Sequence, residues 1–466
     1  MSQRKEMPNM TLRNIAGACH GTYVGPQDAM DKVICGAVID SRLVEEDYLF
    51  IPIRGERADG HNFIPQVFEK GACCALSEIE LENPAGPYIR VESCPVALKQ
   101  IAAFYRESLP IKVVGITGSV GKTSTKEMIS SVLSQKYQVH KTAGNFNNEI
   151  GLPLTIFGIR QEHEVAVLEM GISGFEEMRR LSQVSKPDIG VITNIGLCHL
   201  ENLGSRDGIL QAKTEMFENL KADGVAILNG DDDKLVTKQK VNGKPAIFYG
   251  MNEKNGIYAT EVVNQGFDGM TANIHTPQGS FPAEITIPGE HNVYNALAAT
   301  AVGLELGLSL EQIQQGIREA KTIAGRTNVI RTKGMQVIDD CYNANPVSME
   351  AALDVLSHAK GRTIAVLGDM GELGVDEKAL HFGVGKCVAE KQIHTLFCAG
   401  ALAAEYKAGV ESVISQQSGD TCEVYYYENR EDMISSLQEY VQEGDSILIK
   451  ASHFMDFPKV VEALTE

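Results

Sequence analysis

Basic residues are scarce, long apolar runs are missing, and the cysteines never pair at ligand spacing. Each shortage removes a class of function. The chain carries 42 basic against 61 acidic residues, a formal net charge of -19. Such a surface repels phosphate backbones, so nucleic acid is excluded as a partner, while a local pocket for a small phosphorylated ligand is not. No apolar stretch reaches the roughly 18 residues of a spanning helix, so no membrane partner is expected. Residues 1–10 are polar and lack the apolar core of a secretory signal, which points to a cytoplasmic protein. There are 10 cysteines but no Cys-x-x-Cys pair. Cys73 and Cys74 are adjacent, and Cys35, Cys198 and Cys341 sit in or beside apolar runs. That pattern reads as reduced, buried thiols, with neither a disulfide framework nor a zinc site. Repeats and low-complexity segments are absent too.

At 466 residues the chain is too long for one hydrophobic core, so roughly two to four domains are expected. Three zones differ in texture, dividing the chain into 1–109, 110–325 and 326–466, with Pro110 at the first boundary. The first zone mixes short strand-like pieces (48–53) with a helix-like stretch (94–107). The second alternates β-branched runs at 111–116, 165–168, 189–193 and 225–228 with helix-like segments at 122–134 and 207–220. Strands alternating with helices predict a parallel sheet covered on both faces. Residues 246–287 are β-rich and turn-rich, predicting an antiparallel insertion or edge, and a helix follows at 291–306. The third zone alternates again, with strands at 335–338, 363–367, 394–398, 422–426 and 446–449, a second doubly wound unit. The expected class is α/β in three domains: a small α/β N-terminal domain, a central P-loop domain with a mostly parallel doubly wound sheet, and a C-terminal Rossmann-like domain.

The chemistry starts at Gly115-Ile116-Thr117-Gly118-Ser119-Val120-Gly121-Lys122-Thr123-Ser124, after a strand and opening a helix. Glycines let the backbone turn its N–H groups inward, and the helix N-terminus adds partial positive charge. Lys122 can reach the β- and γ-phosphates and the Thr123 hydroxyl can bind magnesium. A strict P-loop would carry glycine at Ile116, so this is a variant; the bland alternative is a glycine-rich turn with no ligand. Such a loop needs an acidic metal partner on a neighbouring strand, and the apolar run 165–168 ends in Glu169. A surface carboxylate is the alternative there. His199 follows another strand end, where a structural and a metal-binding histidine are equally good readings. Lys213, on its residue type and position alone, would be a solvated helix lysine.

Taken together these residues resemble the Mur ligase family. Thr117–Thr123 is similar to its ATP loop. Leu168-Glu169-Met170-Gly171, Asn194-Ile195-Gly196 with His199-Leu200-Glu201, Ala212-Lys213-Thr214-Glu215 and Leu228-Asn229-Gly230-Asp231-Asp232 resemble its central motifs, in order. Gly289–Ala298 resembles its adenine-side motif, and Gly325-Arg326 with Asp339-Asp340 the start of its third domain. Asp40-Ser41-Arg42, Phe50 and the segment 55–61 are similar to its uridine-nucleotide-binding domain. The match covers essentially the whole chain. Within the family, Asp339–Met349 and Val366–Gly374 resemble the branch that adds a dipeptide. Two positions depart: Lys450-Ala451-Ser452-His453 ends in histidine where arginine is usual, and Ile39 stands where threonine is common.

The resemblance implies an ATP-dependent ligase joining D-alanyl-D-alanine to UDP-N-acetylmuramoyl-tripeptide through an acyl phosphate, acting as a monomer. It implies ATP held by Thr117, Gly118, Ser119, Gly121, Lys122, Thr123 and Ser124, with Asn295, Arg326 and Asp340 on the adenosine and phosphate side. It implies a pair of magnesium ions near Thr123, Glu169, His199 and Lys213, the last carbamylated; Lys122, Glu169, His199 and Lys213 form the catalytic set. Ser41 and Arg42 fall to the uridine nucleotide. Asn145 and Asn148, with Asn147, fall to a substrate-facing loop, and Asn343, Asn345 and Ser348 to the dipeptide. Asn-Pro-x-Ser reads equally as a turn and helix cap. Arg326 from the third domain and Lys122 from the second would complete the ATP site only on domain closure. Two rivals remain, a folylpolyglutamate- or cyanophycin-type ligase and a nucleotide-dependent switch. The Asp40-Ser41-Arg42 domain opposes the first. Against the second, no loop stands out as a sensor of the γ-phosphate.

Overall fold

The computed structural model describes residues 6–55, 58–415 and 422–466. Three sheets follow one another along the chain. The first has strands β1 (Thr22–Val24), β2 (Gly36–Val38), β3 (Tyr48–Phe50), β4 (Cys74–Ser77) and β5 (Tyr88–Arg90), in the order β1-β5-β4-β3-β2. β2 to β5 run parallel and β1 closes the edge antiparallel.

The central sheet carries the site. Its strands are β6 (Lys112–Thr117), β7 (Val139–Lys141), β8 (Val165–Glu169), β9 (Ile189–Ile192) and β10 (Val225–Asn229). A short ribbon, β11 (Lys240–Val241) with β12 (Lys244–Pro245), precedes β13 (Ile247–Gly250), β14 (Ile257–Asn264), β15 (Met270–Thr276) and β16 (Gly279–Ile285). The order is β16-β15-β14-β13-β10-β9-β6-β8-β7. Of the two readings of the β-rich stretch, antiparallel insertion or edge, the structure has the edge: it extends the main sheet outward to β16. β13 and β14 join it in parallel, and only the pairings of β14 with β15 and of β15 with β16 are antiparallel. β6, β8 and β9 are buried almost end to end because helices cover both faces, which explains their unbroken apolar runs. Helices Lys122–Leu133, His291–Glu305 and Leu310–Glu319 pack on one face. The stretch expected as one helix over 207–220 is helical over Arg206–Thr214, then tightens to a 3-10 turn at Glu215–Asn219. The Thr214 hydroxyl donates back to the Leu210 and Gln211 carbonyls there, drawing in the last turn.

The other face of the central sheet shares one continuous core with the first sheet, and helix Cys94–Glu107 is the joint. Its Tyr105 hydroxyl donates to the Ile159 carbonyl at 2.7 Å, and the buried Arg106 guanidinium donates to the Ser185 carbonyl at 3.0 Å.

The third sheet holds β17 (Asn328–Thr332), β18 (Met335–Asp339), β19 (Thr363–Gly368), β20 (Thr395–Ala399), β21 (Glu423–Tyr427) and β22 (Ser446–Lys450), ordered β17-β18-β22-β19-β20-β21. All neighbours are parallel except β17 with β18. It has its own core on each face, and Phe267 of the central unit reaches into one of them. Among the described residues no helix is long and apolar enough to cross a membrane. All ten cysteines are free thiols.

Candidate active site

β6 delivers the chain into the loop Gly118–Gly121, and helix Lys122–Leu133 leaves it. Gly121 sits at φ +80°, a left-handed turn that a side chain would strain. Gly118 allows close approach: a Cβ there would stand 1.9 Å from Thr193 Oγ1. The segment after β9 fixes the loop from below. Ser119 N donates to the Asn194 carbonyl at 3.1 Å and Val120 N to Asn194 Oδ1 at 3.0 Å. The Thr193 hydroxyl donates to the Val120 carbonyl at 2.6 Å, and Gly196 N to Ser119 Oγ at 2.8 Å. Lys122 folds its ammonium over this loop, donating to the Gly118 carbonyl at 2.9 Å. Burial lowers its pKa, and the nearby Glu169 charge opposes that shift. The Thr123 hydroxyl has no hydrogen-bond partner among the described residues and stands at the first turn of the helix. A cradle of inward N–H groups, an ammonium and an unengaged hydroxyl suits a polyphosphate with its metal ion.

The carboxylate side is built at the end of β8. Glu169 is only 2% exposed, which sets aside the surface reading. Its Oε1 accepts from Asn147 Nδ2 at 2.8 Å; its Oε2 is buried without a hydrogen-bond partner, 3.8 Å from the Lys126 ammonium. Lys126, equally buried, donates to the Thr142 carbonyl at 2.7 Å and stands 3.2 Å from Glu127. A carboxylate oxygen buried without a hydrogen-bond partner has the chemistry of a magnesium ligand. Among the described residues no group of three His, Cys, Asp or Glu side chains gathers to hold a metal. An ion here would draw most of its ligands from phosphates and water, as magnesium does in phosphoryl-transfer sites.

His199 and Lys213 approach from the next layer. His199 is half-buried at φ +58°, opening the short helix Leu200–Leu203. Its loop is pinned where Ile195 N donates to Asp232 Oδ2 at 2.8 Å and Arg206 Nε donates to the Ile195 carbonyl at 2.9 Å. Burial, then the charges of Lys213 and Lys122, lower the His199 pKa. Lys213 is not the solvated lysine its sequence position suggested. It is 2% exposed, with no carboxylate or carbonyl partner among the described residues. Burial, with the Lys122 ammonium as second cause, pushes its pKa down to about 7.

Several contacts bring the third unit to this centre. Glu372 Oε2 lies 3.8 Å from His199 Nδ1, and Asn345 Nδ2 lies 3.9 Å from Cys198 Sγ. Arg326 shares a cleft with Ser124, Glu127, Asn292 and Thr327, and its charge is felt at Lys122. The connecting loop is held by the two aspartates after β18: Gly325 N donates to Asp339 Oδ2 at 2.7 Å and Thr327 N to Asp340 Oδ1 at 3.1 Å. Asp340 Oδ2 accepts from the buried Lys450 ammonium at 2.5 Å. Asn295 is likewise engaged on both sides, accepting from the Thr125 hydroxyl at 2.7 Å and donating to Asn292 Oδ1 at 2.8 Å. Asp340 and Asn295 thus hold, respectively, the loop that carries Arg326 and the P-loop helix.

The expected substrate residues are more dispersed. Ser41 and Arg42 lie on the first sheet's loops. Arg42 is 85% exposed and forms a two-pronged pair with Asp40; neither residue touches the phosphate loop. Glu56 and Arg57 of that unit's motif lie outside the described residues. Asn145 and Asn148 are exposed, and Asn148 Oδ1 accepts from Gly151 N at 2.8 Å, capping the next helix. Asn343 is exposed, its carbonyl accepting from Lys450 at 3.1 Å. Asn345 and Ser348 form a reciprocal capping box on helix Pro346–Ser357, so the cap is Asn345 and Ser348 lies inside the first turn.

This geometry has close counterparts. Residues 34–106 match the family model "Mur ligase family, catalytic domain", 116–303 the Mur ligase middle domain, and 325–453 the "Mur ligase, glutamate ligase domain". The UDP-N-acetylmuramoyl-tripeptide–D-alanyl-D-alanine ligase of Bacillus subtilis is 39% identical over 99% of each chain. The chain belongs to the Mur ligase family. A crystal structure of MurF from Acinetobacter baumannii superposes with TM-score 0.89 at 33% identity, covering 98% of each chain. MurF from Thermotoga maritima in complex with ADP superposes with TM-score 0.81 at 28% identity, covering 92% of this chain and 96% of that one. In this Mur ligase the sequence reading missed the supporting roles of Lys126, Asp232 and Lys450, naming the last two only as members of longer motifs. Each is an ordinary charged residue in sequence; only tertiary burial against Glu169, the His199 loop and Asp340 gives it meaning.

Proposed function

We propose that the chain joins D-alanyl-D-alanine to UDP-N-acetylmuramoyl-tripeptide at the expense of ATP, in the cytoplasm, as a step of peptidoglycan precursor synthesis. The observation that carries this reading is identity held at 39% over 99% of the chain to a relative named for that reaction. A carboxylate and an amine do not condense in water, so the tripeptide carboxylate must first take the γ-phosphoryl group. The resulting acyl phosphate then loses phosphate to the attacking amine. Lys122 is poised to exchange its loop carbonyls for phosphate oxygens, and Arg326 brings a second cation from the third unit. Thr123 and Glu169, with His199, would hold magnesium, which when bound neutralises phosphate charge. Lys213 is suited to carbamylation because its neutral amine is accessible near pH 7. Adding carbon dioxide forms an N–C bond, releases one proton and leaves an anion.

Division at 1–109, 110–325 and 326–466 assigns the uridine nucleotide to the first unit through Ser41 and Arg42, ATP to the second, and the dipeptide to Asn343, Asn345 and Ser348 of the third. The Asn145–Asn148 loop faces the tripeptide end, through the contact of Asn147 with Glu169.

The test is phosphate release by purified protein with Mg-ATP and UDP-N-acetylmuramoyl-tripeptide, with and without D-alanyl-D-alanine. Release that needs both, with a product heavier by the dipeptide less water, is expected. Release that prefers another amine would reassign the substrate, and release indifferent to both would overturn the reading.

A further inference from the structure

The Arg326 guanidinium reaches a cleft beside the phosphate loop with little to hold it. No hydrogen bond or ion pair engages its side chain among the described residues, and its Nε is buried without a partner. What it does have is a ring. The guanidinium carbon stands 3.9 Å from the centroid of Tyr342. Tyr342 N in turn donates to the Gly325 carbonyl at 3.1 Å, so ring and arginine are fixed to the same turn of chain. Gly325 sits at φ +77°, and a Cβ there would come 3.3 Å from Tyr342 Cβ. The Tyr342 ring stacks against His453, with centroids 6.0 Å apart and planes 28° apart. His453 is the residue at which the C-terminal motif departs from its usual arginine, and it follows Ser452, whose hydroxyl accepts from Gly371 N at 2.9 Å.

We infer that Tyr342 is the positioning residue for Arg326, an aromatic shelf that holds the guanidinium plane toward the nucleotide cleft, and that His453 braces that shelf. This rests on the reading of Arg326 as a nucleotide contact. A guanidinium without a carboxylate partner would otherwise sample many rotamers. Stacking restrains it while leaving its terminal N–H donors free for phosphate oxygens, which an ion pair would not. The Tyr342 hydroxyl has no hydrogen-bond partner among the described residues, so the ring face alone carries the effect.

The experiment is the affinity of the full chain for Mg-ATP, measured by titration calorimetry without peptide substrates. Arg326→Ala should weaken binding. Tyr342→Ala should weaken it by about tenfold, the size of a partly desolvated cation–π contact, and Tyr342→Phe should restore it. His453→Ala should give a smaller loss that His453→Phe repairs. The deciding arm is the double variant, because Tyr342→Ala placed on Arg326→Ala should cost nothing further. Should Tyr342→Ala melt early, Tyr342→Leu keeps the bulk without the π face and carries the same expectation. If Arg326→Ala binds ATP like the wild type, the nucleotide role of Arg326 falls and the inference with it. If Arg326→Ala binds weakly but the Tyr342 losses are absent, or persist at full size on the Arg326→Ala background, the arginine keeps its role and the shelf is refuted.

Discussion

Lys213 offers the sharpest test of the electrostatics. It is a lysine 2% exposed with no ion pair among the described residues, and its pKa is pushed down to about 7. In the unfolded chain its pKa is near 10.4. Above pH 7 the folded state has lost this proton while the unfolded state keeps it, so stability must rise with pH between the two values. Below pH 7 both states are protonated and the full cost of a buried ammonium is present. Between pH 7 and pH 9 the gain works out at about 2 kcal/mol. Lys213→Met keeps the length and removes the charge. Urea unfolding of both proteins in carbon-dioxide-free buffer with chelator should show the variant more stable at pH 7. Its advantage should shrink by about 2 kcal/mol at pH 9. A stability difference that does not move with pH would mean that Lys213 is solvated or paired, and the reasoning would fail. Restoring bicarbonate and magnesium should then stabilise the wild type alone.

Three further outcomes follow from the geometry. Lys122→Ala should lower the rate of substrate-dependent phosphate release by roughly 10²–10³ while leaving thermal stability nearly unchanged. Gly118→Ala should drive a Cβ into Thr193 Oγ1, which lies 1.9 Å from its position, and shift the loop. A misplacement of that scale costs up to about 10² in turnover, read in the same assay. Asp188→Asn removes the carboxylate that accepts from Val113 N and pairs with Lys112, Lys221 and the buried Arg106. It should destabilise by about 3–5 kcal/mol in denaturant titrations at pH 7. Burial would raise the Asp188 pKa, but the Val113 N–H and the two lysines outweigh it and hold it low. Its stabilisation is therefore present above the unfolded value near 4 and vanishes as pH falls through the lower folded value, so the two proteins should converge in acid.

The strands of the parallel sheets were legible because both faces of each are covered, which forces continuous β-branched runs such as Val165–Glu169. The phosphate loop was legible because its backbone needs glycine at fixed places. The support around it was not. Lys126 drew no notice in the helix-like segment 122–134, yet it is 1% exposed and lies 3.8 Å from Glu169 at the end of β8. Nothing local says that Asp232 will cap a loop 37 residues earlier in the chain. The expected roles of Asn295 and Asp340 came with the family resemblance; that each is already engaged inside the protein is a fact of packing alone.

The joint made by helix Cys94–Glu107 bears on how this protein can be taken apart. Its Leu98, Ile101 and Tyr105 lie in the same core as Leu152, Ile156 and Leu181 of the central unit. A fragment starting at Pro110 would bare that apolar floor and leave Asp188 without Arg106. Such a truncation should aggregate, whereas a cut between the helix Leu310–Glu319 and β17 would pass where the two cores scarcely mix. Helix Cys94–Glu107 thus ties the first sheet into the core beneath the phosphate loop, whereas the third sheet stands on cores largely its own.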